Sequence, residues 1–252
     1  MVKKYFMTDI LRLFKHYEIY AAIFAVTLVL FFSLEDMGFV NNSVMMTYFA
    51  STHLSGFLLA YVFCAFPFGA VFCEELENHY VRYGVIRMSD RAYVISKVIV
   101  IYISSVLVMV LGTFLFLLIC RIFVPWTDWT IDGYELQIIG RFGFLVEKGH
   151  YILYCLVQAL HFGLLAGMLS VASAFLSMYI TNKMTIWLFP MLLQHLLSVL
   201  FGDTDWALDG IFYLEHRMLP DDWQNYLQVI AVSVLPVIFC SFGICKKIRK
   251  RW

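Results

Sequence analysis

Apolar residues fall along this chain in six long runs, divided by shorter polar or charged stretches. The runs are 17–34, 48–72, 98–120, 151–179, 184–201 and 226–245. Each approaches the roughly 20 apolar residues that an α-helix needs to cross a bilayer, although the first and fifth are short. None alternates polar and apolar positions as the strands of a membrane barrel do. An open strand in lipid leaves backbone groups without hydrogen-bond partners, so helices are the elements these runs form. The pattern predicts an all-α membrane protein of six transmembrane helices in one domain, 1–252, with no internal repeat or linker. Before the first run, Val2, Phe6, Ile10, Leu13 and Phe14 recur at helical spacing among Lys3, Lys4, Arg12 and Lys15. This reads as an interfacial amphipathic helix over 1–16, the alternative being a plain extension of the first span. Pro67 with Gly69, Pro190 and Pro236 are expected to kink their helices.

Charge placement gives the runs a direction. With the N-terminus in the cytoplasm, the inner segments hold Lys3, Lys4, Arg12, Lys15, Arg82, Arg87, Arg91, Lys97, Lys183, Lys246, Lys247, Arg249, Lys250 and Arg251. Only Arg121, Arg141, Lys148 and Arg217 remain outside. That asymmetry places both termini in the cytoplasm. It also makes 73–96 an inner loop and 202–225 an extracellular segment. Trp126, Trp129, Trp206 and Trp223 lie in the outer segments, where headgroup-level positions suit them. The first run is not expected to be a cleavable signal peptide, because a long basic, aromatic stretch precedes it and no small-residue cleavage site follows.

Composition agrees with a lipid environment. The chain is 62% hydrophobic and 14% charged, whereas a soluble domain is nearer half apolar and a quarter charged. Its formal net charge is zero, so nothing points to a nucleic-acid partner. The six cysteines lie in or at the ends of apolar runs without a CxxC pair. They read as small buried side chains, not as a disulfide or metal framework.

The inner loop carries the most distinctive chemistry. It opens with Glu74, Glu75 and Glu77, continues through Asn78, His79, Tyr80 and Arg82 to Gly84, and closes on Ser89-Asp90-Arg91 with Lys97 entering the next run. The acidic residues suit the positive N-terminal end of a short helix. Gly84 is placed to end that helix, and Ser89 or Asp90 to cap the next. Glu74, Glu75, Glu77, Ser89, Arg91 and Lys97 make this segment resemble the ABC-2 type permeases, the membrane subunits of bacterial ATP-binding-cassette exporters. The interfacial N-terminal helix, the six spans, the inner termini and the outer segment between spans five and six extend the likeness over the whole chain. Asn78-His79 departs from the small residue that many relatives carry.

The resemblance implies a bacterial plasma-membrane location and a coupling helix, formed by Glu74, Glu75, Glu77, Asn78, His79, Tyr80, Arg82 and Arg91. In the family that helix docks on a separate nucleotide-binding ATPase subunit, which carries ATP and magnesium. It also implies a second permease copy or a related permease. From the residues alone, a solvated charged loop that merely obeys topology is an equal reading. No G-x-x-x-x-G-K-[ST] run is present to cradle phosphates, so the chain is expected to bind no cofactor and to be no enzyme itself. The triplet Leu54-Ser55-Gly56 is read as chance. The cargo expected from the family is a hydrophobic or amphipathic peptide, such as a lantibiotic, or a drug.

Polar side chains inside the runs are few: His53, Gln158, His161, Gln194 and His195. No H-x-x-x-H pair occurs, so no metal is expected. Interhelical hydrogen bonding and the lining of a substrate path both remain open for them. No Asp or Glu falls in mid-run, which argues against a proton or sodium relay. The fourth run carries Ala159, Gly163, Gly167, Ser170, Ala174 and Ser177 at steps of three or four. Such a stripe admits a close neighbouring helix, either within the subunit or at a subunit interface. Two non-transport readings compete: a membrane sensor or structural protein, and an intramembrane protease using Glu74-Glu75. The latter lacks the Arg of an E-E-x-x-x-R motif.

Overall fold

The computed structural model describes residues 15, 17–34, 38–78, 80, 90–127, 141–201, 211–214 and 221–251. Among these residues the fold is all-helical, with no strand. In chain order the helices are α1 (Tyr17–Ser33), α2 (Val44–His53), α3 (Leu58–Ala65), α4 (Val71–Glu77), α5 (Asp90–Phe123), α6 (Phe144–Glu147), α7 (Tyr151–Leu176), α8 (Lys183–Phe201) and α9 (Asp222–Arg251). The expected interfacial helix 1–16 lies outside the described residues, apart from Lys15.

Four helices, α5, α7, α8 and α9, are long and apolar enough to cross a membrane. A fifth crossing is counted if α2 and residues 55–65 act as one span, bent by 76° at their junction. Over its described residues helix α1 is apolar and 17 residues long. At about 1.5 Å per residue it reaches roughly 25 Å, against a hydrocarbon core of about 30 Å.

The expected second span, 48–72, is therefore not one helix. Leu54 adopts an extended conformation (ψ 148°), and Ser55–Phe57 form a 3-10 turn before α3. Gly56 sits at this break, where the chain passes close to α1: a Cβ there would lie 3.1 Å from the Ser33 Cα, a tight contact that glycine avoids. The Leu54-Ser55-Gly56 triplet is thus a structural hinge between two helices. Upstream, Ser43 caps α2 by accepting from the Met46 N–H at 3.2 Å. Downstream, residues 66–70 form turns, and the Gly69 N–H donates to the Ala65 carbonyl at 2.6 Å. Pro190 and Pro236 both lie inside uninterrupted helices.

Two helix ends reach beyond the apolar runs. The described ends of the 73–96 stretch belong to α4 and α5. Helix α5 starts at Asp90, well before the apolar run begins. Its 34 residues reach about 51 Å, so some 20 Å project beyond the hydrocarbon of a bilayer. Likewise α9 begins at Asp222, inside the expected 202–225 segment.

The helices alternate in direction between two ends. Glu18, Glu74, Glu75, Asn78 and Lys97 gather at one end; the start of α8 joins them through Lys183, and Asp90 meets Arg249 there. At the other end the Val44 N–H donates to the Pro125 carbonyl at 3.0 Å, and the Arg141 N–H to the Leu214 carbonyl at 2.8 Å. Arg91, Lys97, Lys183, Lys246, Lys247 and Arg249 thus share the first end, while Arg121, Arg141 and Lys148 mark the second.

Small residues set the closest helix contacts. Added Cβ atoms at Gly163 and Gly167 would lie 3.3 Å from Val106 and 2.7 Å from the Tyr102 ring. The small-residue stripe of α7 therefore seats α5 within this chain. Ser170 and Ala174 on the same helix are fully buried, and Ala174 joins a cluster with Phe72, Tyr93 and Val98. Gly112 plays the same part for α1, since a Cβ there would come within 2.7 Å of Val26. The Thr27 hydroxyl also lies 3.0 Å from the Gly112 carbonyl. Gly112→Leu is expected to overpack this crossing by about 1–3 kcal/mol. Thermal unfolding in mild detergent checks it: the midpoint should fall by roughly 3–10 °C. An unchanged midpoint would mean that α1 does not rest on Gly112.

Candidate functional site

The described part of the 73–96 stretch is built around α4. The turn that precedes it requires Gly69, where a Cβ would fall 2.6 Å from the Ala65 carbonyl oxygen. The helix buries Phe72 and Cys73 and leaves Glu74 and Glu77 exposed. It ends at Asn78, whose backbone N–H and side-chain Nδ2 both donate to the Glu74 carbonyl, at 3.0 and 2.9 Å.

The carboxylates fasten α4 to two long helices. Glu75 turns inward, where Lys97 of α5 lies 2.8 Å away with both side chains mostly buried, and the Tyr93 hydroxyl donates to its other oxygen. Glu74 meets Lys183 of α8 at 2.7 Å, half-exposed. Shielding makes the first pair the stronger link, since an exposed ion pair contributes only about 0–1 kcal/mol. A third tie joins the Cys73 thiol to the Thr181 carbonyl at 3.3 Å. Burial, then the nearby Glu77 carboxylate, pushes that thiol up from its ordinary pKa, which keeps it protonated and unreactive at neutral pH. Glu18, Glu74, Glu75, Asn78, Tyr80 and Lys97 line a cavity of about 300 Å³ beside this junction.

The other residues expected to form a coupling helix separate into two groups. Glu77, Asn78 and Tyr80 are exposed past the junction, and Arg91 is exposed on the first turn of α5. His79 and Arg82 lie outside the described residues. Among the acidic residues, then, Glu74 and Glu75 join α4 to the bundle, while the exposed surface beyond them carries Glu77, Asn78 and Tyr80. Sequence reasoning left Lys97 outside the coupling set. Its signal was a cation entering an apolar run four positions, one helical turn, after Tyr93.

Among the described residues, the five polar side chains of the apolar runs have different surroundings. Gln158 accepts from the Leu214 N–H at 2.8 Å and donates to the Phe212 carbonyl at 3.3 Å, so it pins the 211–214 segment to α7. His53 is exposed and stacks on Tyr213 with ring centroids 4.5 Å apart. His161 is fully buried, edge-on to Tyr226 of α9. Gln194 is buried and His195 exposed on α8.

The opposite end contains a residue whose role the sequence did not announce. Arg141 is fully buried; its Nη1 donates to the Ile211 carbonyl at 2.8 Å, and the neighbouring Phe142 N–H donates to Asp222 at 3.0 Å. Burial pulls the Arg141 guanidinium below its ordinary pKa, opposed by the Asp222 carboxylate. Of the four tryptophans expected in outer segments, Trp126 lies beneath the Arg121 guanidinium at 5.7 Å and Trp223 is exposed; Trp129 and Trp206 lie outside the described residues. All six cysteines are unbridged. No group of three or more metal-ligating side chains occurs among the described residues. Comparison with protein-family models, curated proteins and solved structures finds no match.

Proposed function

We propose that this chain is the membrane-spanning subunit of an ATP-driven exporter of the ABC-2 type. In this reading α1, the broken α2–α3 segment, α5, α7, α8 and α9 make six crossings, with both termini and α4 in the cytoplasm of a bacterial cell. The observation that carries the reading is the attachment of α4: a short acidic helix at the basic end, tied to α5 through Glu75–Lys97 and to α8 through Glu74–Lys183. A push on its exposed end would reach two spans at once through these pairs. A separate nucleotide-binding subunit supplies that push, since the chain has no phosphate-cradling loop. A second copy or a related permease completes the path. The apolar, aromatic-rich spans suit a hydrophobic or amphipathic cargo, and the peptide and drug classes follow from the resemblance of the inner loop.

Purification in mild detergent with the cognate ATPase subunit, followed by reconstitution in vesicles, tests this reading. ATP-dependent movement of cargo is expected. Replacing residues 77–80 with a Gly-Ser tetrapeptide should leave ATP hydrolysis in place while transport falls by at least about tenfold. Transport that survives the replacement, or a stable chain that associates with no nucleotide-binding subunit, would overturn it.

A further inference from the structure

Helices α5 and α9 touch at two levels and part between them. At the basic end the Arg249 Nε lies 3.7 Å from Asp90. Deeper in the bundle the Tyr102 hydroxyl donates to the Ser233 Oγ at 3.0 Å. The groove between these two levels has a volume of about 880 Å³, within the range of pockets that hold drug-sized molecules. Its rim exposes large apolar side chains, among them Ile99, Ile238 and Phe242.

Three features select an occupant. The first is depth: from Arg91 to Tyr102 the helix rises about 17 Å, close to the roughly 15 Å of one leaflet's hydrocarbon. The second is charge. Arg91, Lys246 and Arg249 all stand at the shallow end of the groove, and Asp90 faces only Arg249 among them. The third concerns the alternative of a second copy of this chain. A two-fold interface brings the same surface against itself, so the Arg91 and Lys246 cluster of one copy would crowd that of the other.

We propose that this groove is a binding site for an anionic phospholipid, with its acyl chain lying between α5 and α9 and its phosphate against Arg91 and Lys246. Basic pockets between spans recognise acidic headgroups in this way. Ser241, which lines the groove, donates to its own helix at Val237, so it leaves the acyl region effectively apolar. The proposal needs only that the chain be embedded in a membrane; assigning the site to the inner leaflet rests on the orientation proposed above.

Native mass spectrometry of the full chain in mild detergent tests it, with phosphatidylglycerol and phosphatidylcholine of identical acyl chains offered in equal amounts. Phosphatidylglycerol should be retained at least about tenfold better. The Arg91→Gln, Lys246→Gln double variant alters two exposed positions and should bring the two lipids to within about threefold. Ile99→Trp, on the groove rim, should reduce retention of both. Equal retention of the two lipids by the unaltered protein, or an undiminished preference in the double variant, would overturn the site. So would a disulfide formed between the Cys245 residues of two copies under mild oxidation, since it would place a second copy over the groove. Transport is not read in this experiment, so its failure leaves the exporter reading to its own test.

Discussion

Arg141→Met is expected to destabilise the protein by about 3 kcal/mol, more than any substitution at an exposed cation. Methionine keeps much of the side-chain volume, so the loss comes from polar groups left behind. The Ile211 carbonyl loses the guanidinium that bonds it at 2.8 Å. Asp222, which accepts from the Phe142 N–H, loses the buried positive charge beside it. Removing one member of a buried charged arrangement strands the other, and that penalty exceeds the net worth of the pair. The expected readout is a fall of roughly 6–12 °C in the thermal midpoint measured in detergent. Arg141→Lys, which preserves the charge but not the fork, should fall between. A midpoint within about 2 °C of the unaltered protein would show that Arg141 does not hold the 211–214 segment and α9 together.

Lys97→Met should produce the second-largest effect, and one that couples stability to function. The substitution leaves Glu75 mostly buried with only the Tyr93 hydroxyl as an observed partner. The residual exposure of Glu75 moderates the penalty, which is expected at about 2 kcal/mol. If α4 acts on the bundle through this pair, transport should also fall by at least about tenfold while ATP hydrolysis by the partner subunit continues. Combining Lys97→Met with Glu75→Gln removes both charges. More than half of the lost stability should then return, because no charge is stranded, but transport should stay low. Strictly additive losses in the double variant would show that the two residues do not act as a pair.

The contrast between these two residues shows what the sequence disclosed. Helical class follows from long apolar runs, and α5, α7, α8 and α9 are long and apolar enough to cross a membrane. Helix ends were harder to place. Asp90, Arg91 and Lys97 lowered the apolarity of a stretch that nevertheless continues α5, because a helix leaving the membrane keeps its backbone bonds while its side chains turn polar. The break at Leu54 escaped notice, since composition around Ser55-Gly56 stays apolar and only the approach of Ser33 explains the glycine. Glu74 and Glu75 were marked by their chemistry, but their partners Lys183 and Lys97 stand 109 and 22 positions along the chain, and no local pattern joins them. Arg141 counted as an outer topological charge. Its burial depends on segments 211–214 and 221–226, which only the folded chain brings to it.

The central claim is that α4 and the exposed residues beyond it face the cytoplasm, where another molecule can push on them. A single cysteine at Tyr80, in a background with the six native cysteines replaced, addresses it directly, because Tyr80 is 62% exposed. A membrane-impermeant maleimide should label Tyr80→Cys in inside-out vesicles and not in intact cells, with Lys148→Cys showing the reverse. Labelling of Tyr80→Cys in intact cells would put the acidic helix on the external side and contradict the account.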